Sequence, residues 1–245
     1  MVQLKFAVFT RLCEPYVRLS YGENYEPDKG DTVVMVDVGL KTARSNGVVV
    51  SMDYIKYVKH YANRYITLFV IPDSWYYPLH LQNVVRFISL AKKMSNVDNM
   101  IPILVVHYYL YKVDDYIEIL ERLSDVFPIV FVGVTGNIVT VSPTSKIKCI
   151  SHQTICNHYI ETIVRDMLMR HFMVHVLGIT KPTLDYIVNR GIRIASADTD
   201  KPRGIGREKM AHRKEYCDVF REWLGNYKQP EPEQWLEVVV NDYGL

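Results

Sequence analysis

The sequence lacks a long hydrophobic run. No stretch approaches the roughly 20 consecutive apolar residues that a membrane-spanning helix needs, and the opening MVQLKFAVF holds only a short apolar patch. A protein with no membrane contact is therefore expected. Charge of one sign is scarce too: 29 Lys and Arg against 27 Asp and Glu leave a formal charge of +2. A whole-molecule field that weak does not mark a nucleic-acid binder, so only local charge can. Cysteine is sparse, with Cys13, Cys149, Cys156 and Cys217 scattered over 245 residues. That distribution argues against a small disulfide scaffold and predicts free thiols or metal ligands in a reducing, cytoplasmic compartment. There is no repeat of fixed period, no low-complexity tract and no Gly-rich phosphate loop after the first apolar run. The last absence disfavours a doubly wound nucleotide-binding sheet.

What is present is one substantial core's worth of apolar residues, 49% of the chain, and a single domain over residues 1–245 is expected. From residue 31 onward, β-branched runs alternate with amphipathic stretches, the rhythm of βα units around a parallel sheet. LKFAVF (4–9), TVVMVD (32–37), ITLFVI (66–71), IPILVV (101–106), IVFVGV (129–134), FMVHVLG (172–178) and IRIASAD (192–198) read as strands. Between them, Ser51 caps a helix with Met52, Ile55, Val58 and Ala62 on one face, and Pro78 opens another with Leu81, Val84, Val85, Ile88 and Ala91 on one face. Asp114 or Asp115 is the expected cap of a third, with Ile117, Leu120 and Leu123. Ile160, Ile163, Val164, Met167 and Leu168 form a fourth stripe, Pro182 and Gly191 bracket a short fifth helix, and Cys217, Phe220 and Leu224 mark a last one. Residues 135–150 give no clear pattern, and WLEVVV (235–240) fits either an eighth strand or a docking helix. An eight-unit alternation of this kind predicts a (β/α)8 barrel of TIM type, with an irregular N-terminal β segment and a C-terminal helix.

In such a barrel the residues that finish each strand surround one mouth. Here they are Asp37, Asp73, His107, Gly133 to Gly136, His175 and Asp198. A lone Asp after a strand is ordinarily a cap or an Asx turn, and a lone His ordinarily a satisfied core residue. Several acids and imidazoles on one rim ask for more than capping.

The order of these motifs is similar to that of a known family. VDVGL (36–40), SMDYIKYV (51–58), VIPD (70–73), IPILVVH (101–107), DDYIEIL (114–120), FVGVTG (131–136), HVLGIT (175–180) and ASADT (195–199) resemble the transglycosylase barrel that exchanges guanine for a 7-deazaguanine base. The likeness covers about residues 31–200 and is closer to the compact DNA-modifying and phage-type members than to the tRNA enzymes. It implies Asp198 as nucleophile and Asp37 as the group that handles the base's proton; Asp200 is the rival nucleophile, since the strand could end two residues later. It also implies Asp73, His107 and Gly133 around the purine, and His175, on a neighbouring strand of the same rim, is a further substrate-binding candidate. The partners it implies are nucleic acid, DNA favoured over tRNA, and a 7-deazaguanine-type base, with no cofactor required. Val38 stands where the family motif carries a hydroxyl, and Val134 where it carries a second glycine. The chain's short length fits a viral source, which would place it in host cytoplasm.

The chemistry asks for such acids independently. Cleaving an N-glycosidic bond builds positive charge on the sugar, which a carboxylate under C1′ stabilises and can trap covalently. From Arg190 to Lys214 there are eight Lys or Arg and three acids, so this stretch is locally basic. Arg203, Arg207 and Lys209 are the candidates for holding phosphates that flank a flipped or single-stranded nucleotide. Cys149, His152 and Cys156 share one helical face and are candidates for a structural zinc. Two other readings remain open: a metal-dependent barrel hydrolase using His107, His175 and Asp198 or Asp73, and a non-catalytic nucleic-acid-binding barrel.

Overall fold

A computed structural model describes residues 1–11, 13–38, 50–74, 77–93, 97–106, 113–136, 138–142, 145–148, 153–199 and 213–243. Outside the main sheet, β1 (Val2–Gln3) pairs in parallel with a late strand, Tyr227–Lys228. The main sheet runs through β2 (Ala7–Arg11), β3 (Tyr16–Ser20), β4 (Val33–Asp37), β5 (Thr67–Val70), β6 (Met100–Val105) and β7 (Phe131–Thr135). After an antiparallel hairpin, β8 (Ile138–Ser142) and β9 (Ser145–Lys148), it continues with β10 (Met173–Leu177) and β11 (Ser196–Asp198). All eight main strands are parallel, and β11 pairs back onto β2, closing a barrel of the TIM type. The Tyr227–Lys228 strand is β12.

Helices α1 (Met52–Ala62), α2 (Tyr77–Ala91) and α3 (Val113–Ser124) follow β4, β5 and β6. Helix α4 (Gln153–Met169) follows the hairpin, and α5 (Lys181–Asn189) follows β10. Helices α6 (Arg213–Leu224) and α7 (Pro232–Tyr243) come after β11. The sequence logic holds locally. Ser51 caps α1 by accepting a hydrogen bond from the Tyr54 amide at 3.2 Å. Thr180 caps α5, with Pro182 in its first turn, and Gly191 leaves that helix at a φ of +60°.

The structure corrects several expectations. The eighth strand is β3, and WLEVVV is part of α7. Helix α3 starts at Val113, so Asp114 and Asp115 stand inside its first turn and do not cap it. The strand expected over 192–198 is confined to Ser196–Asp198, and the unread stretch 135–150 holds the hairpin. The described cysteines are not free thiols: Cys13 is bridged to Cys217, and Cys156 is disulfide-bonded as well. The inference from scattered thiols to a reducing compartment therefore loses its premise. Among the described residues no helix is long and apolar enough to cross a membrane.

Two apolar layers result from the alternation of side chains along each strand. One fills the barrel with Phe9, Met35, Leu68, Ile103, Phe131 and Met173 among others. The other lies between the strands and the helices, with Val34, Val36, Phe69, Leu104, Val132 and Val174 facing outward onto Ile55, Val58, Leu120, Ile160 and Ile163. The N-terminal end of the barrel is plugged by α7. Trp235 is fully buried there against Phe9 and Tyr16, and its indole N–H donates to the Ala195 carbonyl at 2.8 Å.

The β3–β4 connection carries no helix among the described residues, and tyrosines take its place. Residues 21–31 lie across α1, where the Tyr57 hydroxyl donates to the Glu23 carbonyl (2.5 Å) and the Tyr61 hydroxyl to the Tyr25 carbonyl (2.9 Å). Tyr65 reaches the Pro27 carbonyl, and Glu26 pairs with Arg64. Backbone groups that a helix would satisfy internally are satisfied here by side chains.

Candidate active site

The inward positions of β3, β4, β10 and β11 converge near the C-terminal end of the barrel. The residue at their centre is Arg18. Period-two alternation in YVRLS sends Val17 and Leu19 to the outer layer and Arg18 inward. Its Nη2 lies 3.0 Å from Asp37 Oδ2 and its Nη1 3.1 Å from Asp198 Oδ2. One guanidinium thus bridges two carboxylates separated by some 160 positions in the chain. Their side chains are 17% and 4% exposed, so the network is largely withdrawn from solvent and its charges are weakly screened.

The second oxygen of Asp198 is held as firmly. Oδ1 accepts from the Gly178 amide at 2.9 Å and from His175 Nε2 at 3.2 Å, while His175 Nδ1 lies 2.8 Å from Ser196 Oγ. An ionised carboxylate only accepts, so Nε2 must carry the proton; Nδ1 then accepts from the Ser196 hydroxyl when the ring is neutral. Gly178 has a φ of +69°, a backbone conformation that glycine adopts without steric cost, and this turns its amide back onto Asp198. Burial opposes ionisation of Asp198. The Arg18 charge, the His175 contact and the Gly178 amide outweigh it and hold the carboxyl below the ordinary aspartate value. Next to Asp37, the Tyr54 hydroxyl donates to the Val70 carbonyl at 2.6 Å. Burial, followed by the Asp37 charge, pushes it well up, so it stays a neutral donor.

The strand end that carries Asp198 is pinned on both sides. Ile179 N donates to the Asp198 carbonyl (2.6 Å), and Thr199 N to the Phe9 carbonyl (2.9 Å). Thr199 Oγ1 also donates to the Ile179 carbonyl. The carboxylate is preorganised before any ligand arrives.

The opposite wall is apolar, and Gly133 belongs to it. A Cβ there would meet Ile103 Cγ2 at 2.8 Å, Leu177 Cδ1 at 3.2 Å and Val105 Cγ2 at 3.3 Å. The glycine is demanded by side chains from β6 and β10 that fill its space. Gly133→Ala is expected to cost about 1–3 kcal/mol through overpacking. Urea unfolding measures this, and an unchanged midpoint would mean that the interior relaxes around the new methyl.

Of the residues singled out from sequence, Asp37, Asp198, His175 and Gly133 are brought to this end of the barrel. Asp73 is buried just beyond β5, at the same end. His175 is fully buried with both ring nitrogens engaged inside the protein, so it supports the carboxylate from below. His107, Cys149, His152, Asp200, Arg203, Arg207 and Lys209 lie outside the described residues. Cys156 carries no thiolate for a metal while it is disulfide-bonded. Among the described residues no group of three or more His, Cys, Asp or Glu side chains is placed to hold a metal ion.

Arg18 and Ser196 belong to this network and are not singled out by the sequence. A signal for Arg18 existed: a charged residue on the same face as Tyr16, between Val17 and Leu19, marks a strand whose inward side is not wholly apolar. Comparison of the chain with protein-family models, curated proteins and solved structures finds no match.

Proposed function

We propose that this barrel is a base-exchanging transglycosylase acting on a guanine nucleotide in nucleic acid, through a covalent glycosyl ester on Asp198. The observation that carries the reading is the Asp37–Arg18–Asp198 bridge at the C-terminal mouth. The Asp198 carboxylate, held ionised in a largely dry site, favours an oxocarbenium-like sugar over the neutral ground state.

In this mechanism an Asp198 oxygen attacks C1′ as the bond to guanine N9 breaks. The departing base takes its proton from Asp37 in its protonated form. The 7-deazaguanine base then gives a proton to the ionised Asp37, which Arg18 stabilises, and its nitrogen displaces Asp198 from C1′. Two inversions give net retention. The apolar wall around Gly133 would lie against the purine faces, Asp73 would accept from the donor edge of guanine, and Arg203, Arg207 and Lys209 would hold the flanking phosphates.

The test is incorporation of a labelled 7-deazaguanine base into guanine-containing DNA or tRNA, with a denaturing gel for the covalent protein–nucleic acid adduct. Wild type is expected to show both. Asp198→Asn is expected to lose both, and Asp37→Asn to lose incorporation by at least about 100-fold, the usual worth of a general acid–base group. A second reading is a non-catalytic binding barrel, favoured by the saturation of Asp198, whose two oxygens already take three donors. Nucleic-acid binding with no adduct and no incorporation on either substrate would select it.

A further inference from the structure

Away from the mouth, a cavity of about 360 Å³ opens between the β2–β3 turn, α6 and the β12 segment, and part of its wall is the Cys13–Cys217 disulfide. Pro15, Phe220, Leu224 and Lys228 line it as well. We propose that this cavity is a thiol–disulfide exchange site that admits a low-molecular-weight thiol to the Cys13–Cys217 bridge.

The size and the placement both point there. Cavities of roughly 300–1,000 Å³ accept small organic ligands, so the space beside the bridge is of a size for a thiol as large as a tripeptide. Cys13 is 3% exposed whereas Cys217 is only half-buried, which makes the Cys217 sulfur the point of attack. The incoming thiolate bonds to Cys217 Sγ, the disulfide breaks, and Cys13 leaves as a thiolate that takes a proton from water. A second small thiolate then attacks the outer sulfur of the mixed disulfide. It releases Cys217 as a thiol and the small molecule as its own symmetric disulfide, so two small thiols supply the two electrons.

The bridge matters because of what it fastens. Helix α6 is tied to the barrel by this disulfide, by the Tyr216 and Thr10 hydroxyls at 3.2 Å, and by Lys181 Nζ donating to the Leu224 carbonyl at 3.2 Å. Thr10 in turn reaches the Thr199 carbonyl, next to Asp198. Opening the bridge removes the only covalent tie among these. The inference does not depend on the transglycosylase reading.

The native protein is incubated with reduced glutathione, quenched by alkylation at acid pH, and examined by intact mass and peptide mapping. The expected product is a single mixed disulfide on Cys217, followed by the reduced pair, with faster amide hydrogen exchange in α6. Lys228→Trp places a bulky ring over the cavity from an exposed position. It is expected to slow native exchange about tenfold, with no change in denaturant, where access is equal. Arg221→Trp, from the facing wall, is the second variant should the first fail to fold. A bridge that resists glutathione in the native state and opens only on unfolding overturns the proposal. Native exchange at equal rates in wild type and both folded variants overturns it too.

Discussion

Arg18→Met is expected to lower stability by about 3 kcal/mol or more, because it removes the cation that bridges the buried Asp198 carboxylate and the partly buried Asp37 carboxylate. For a chain of this length the melting temperature should fall by roughly 6–12 °C. The argument does not rest on the worth of the ion pairs themselves, which is modest once desolvation is counted. It rests on what is left behind. Met fills most of the volume of the Arg stem, so packing is nearly conserved, and the loss reports uncompensated charge. The triple variant Arg18→Met, Asp37→Asn, Asp198→Asn removes that charge and is expected to recover most of the stability. A triple variant no more stable than the single one would show that Arg18 acts through packing.

The pH dependence gives the same claim an independent sign. In wild type the Asp198 carboxyl is held below its ordinary value. Its ionisation therefore contributes stability that is fully present above the unfolded aspartate pKa of about 3.9 and is lost as pH falls through the lower folded value. In Arg18→Met, burial is opposed only by His175 and the Gly178 amide, while the Asp37 charge is no longer bridged. The Asp198 pKa rises, and the folded variant gains protons that its unfolded chain does not. The deficit in melting temperature relative to wild type should then be largest near pH 7 and shrink toward pH 4. A deficit that stays constant over that range contradicts the assignment of Arg18 as counter-charge to Asp198. In the exchange assay, Arg18→Met should fail at neutral pH even where the protein is fully folded.

The parts of this molecule that could be read from sequence are those governed by local periodicity. The helical stripe of α4, the cap at Ser51 and the bracketing of α5 by Pro182 and Gly191 depend on residues within a few positions of one another, and there the reading and the structure agree. Asp37 and Asp198 could be placed on one rim because a parallel barrel sends every strand's C-terminal end the same way. What was not legible depends on distant partners. Strand β3 is five residues long, follows a turn that carries Cys13 and Pro15, and lacks the helix that elsewhere announces the next strand. Without it, Arg18 stayed in an unassigned segment and the acids had no visible counter-charge. WLEVVV has β-branched composition, but Trp235 and Val239 are four apart and share the buried face of a helix, which the plugged barrel end selects. The Cys13–Cys217 bridge spans 204 positions, and no local rule pairs residues so far apart.

Trp235→Ala is expected to cost about 3–5 kcal/mol, the range for deleting a large buried aromatic, and to lower the melting temperature by roughly 6–20 °C. The indole is fully buried between Phe9 and Tyr16, and its N–H is the partner of the Ala195 carbonyl. The variant thus opens a cavity and orphans an acceptor together. The informative comparison is with Arg18→Met, since both variants lose stability but at opposite ends of one barrel. The shift of the Asp198 carboxyl is set by burial against Arg18, His175 and Gly178, whereas Trp235 packs on Phe9 and Tyr16. Trp235→Ala should therefore keep the wild-type dependence of melting temperature on pH between 4 and 7, displaced downward as a whole. Below its transition it should also keep any Asp198-dependent adduct formation. A Trp235→Ala profile that converges on wild type as pH falls, in the manner of Arg18→Met, would mean that Phe9 and the short β11 transmit disorder from the plug to the mouth. The division of labour between a stabilising N-terminal end and a chemical C-terminal end would then not hold for this barrel.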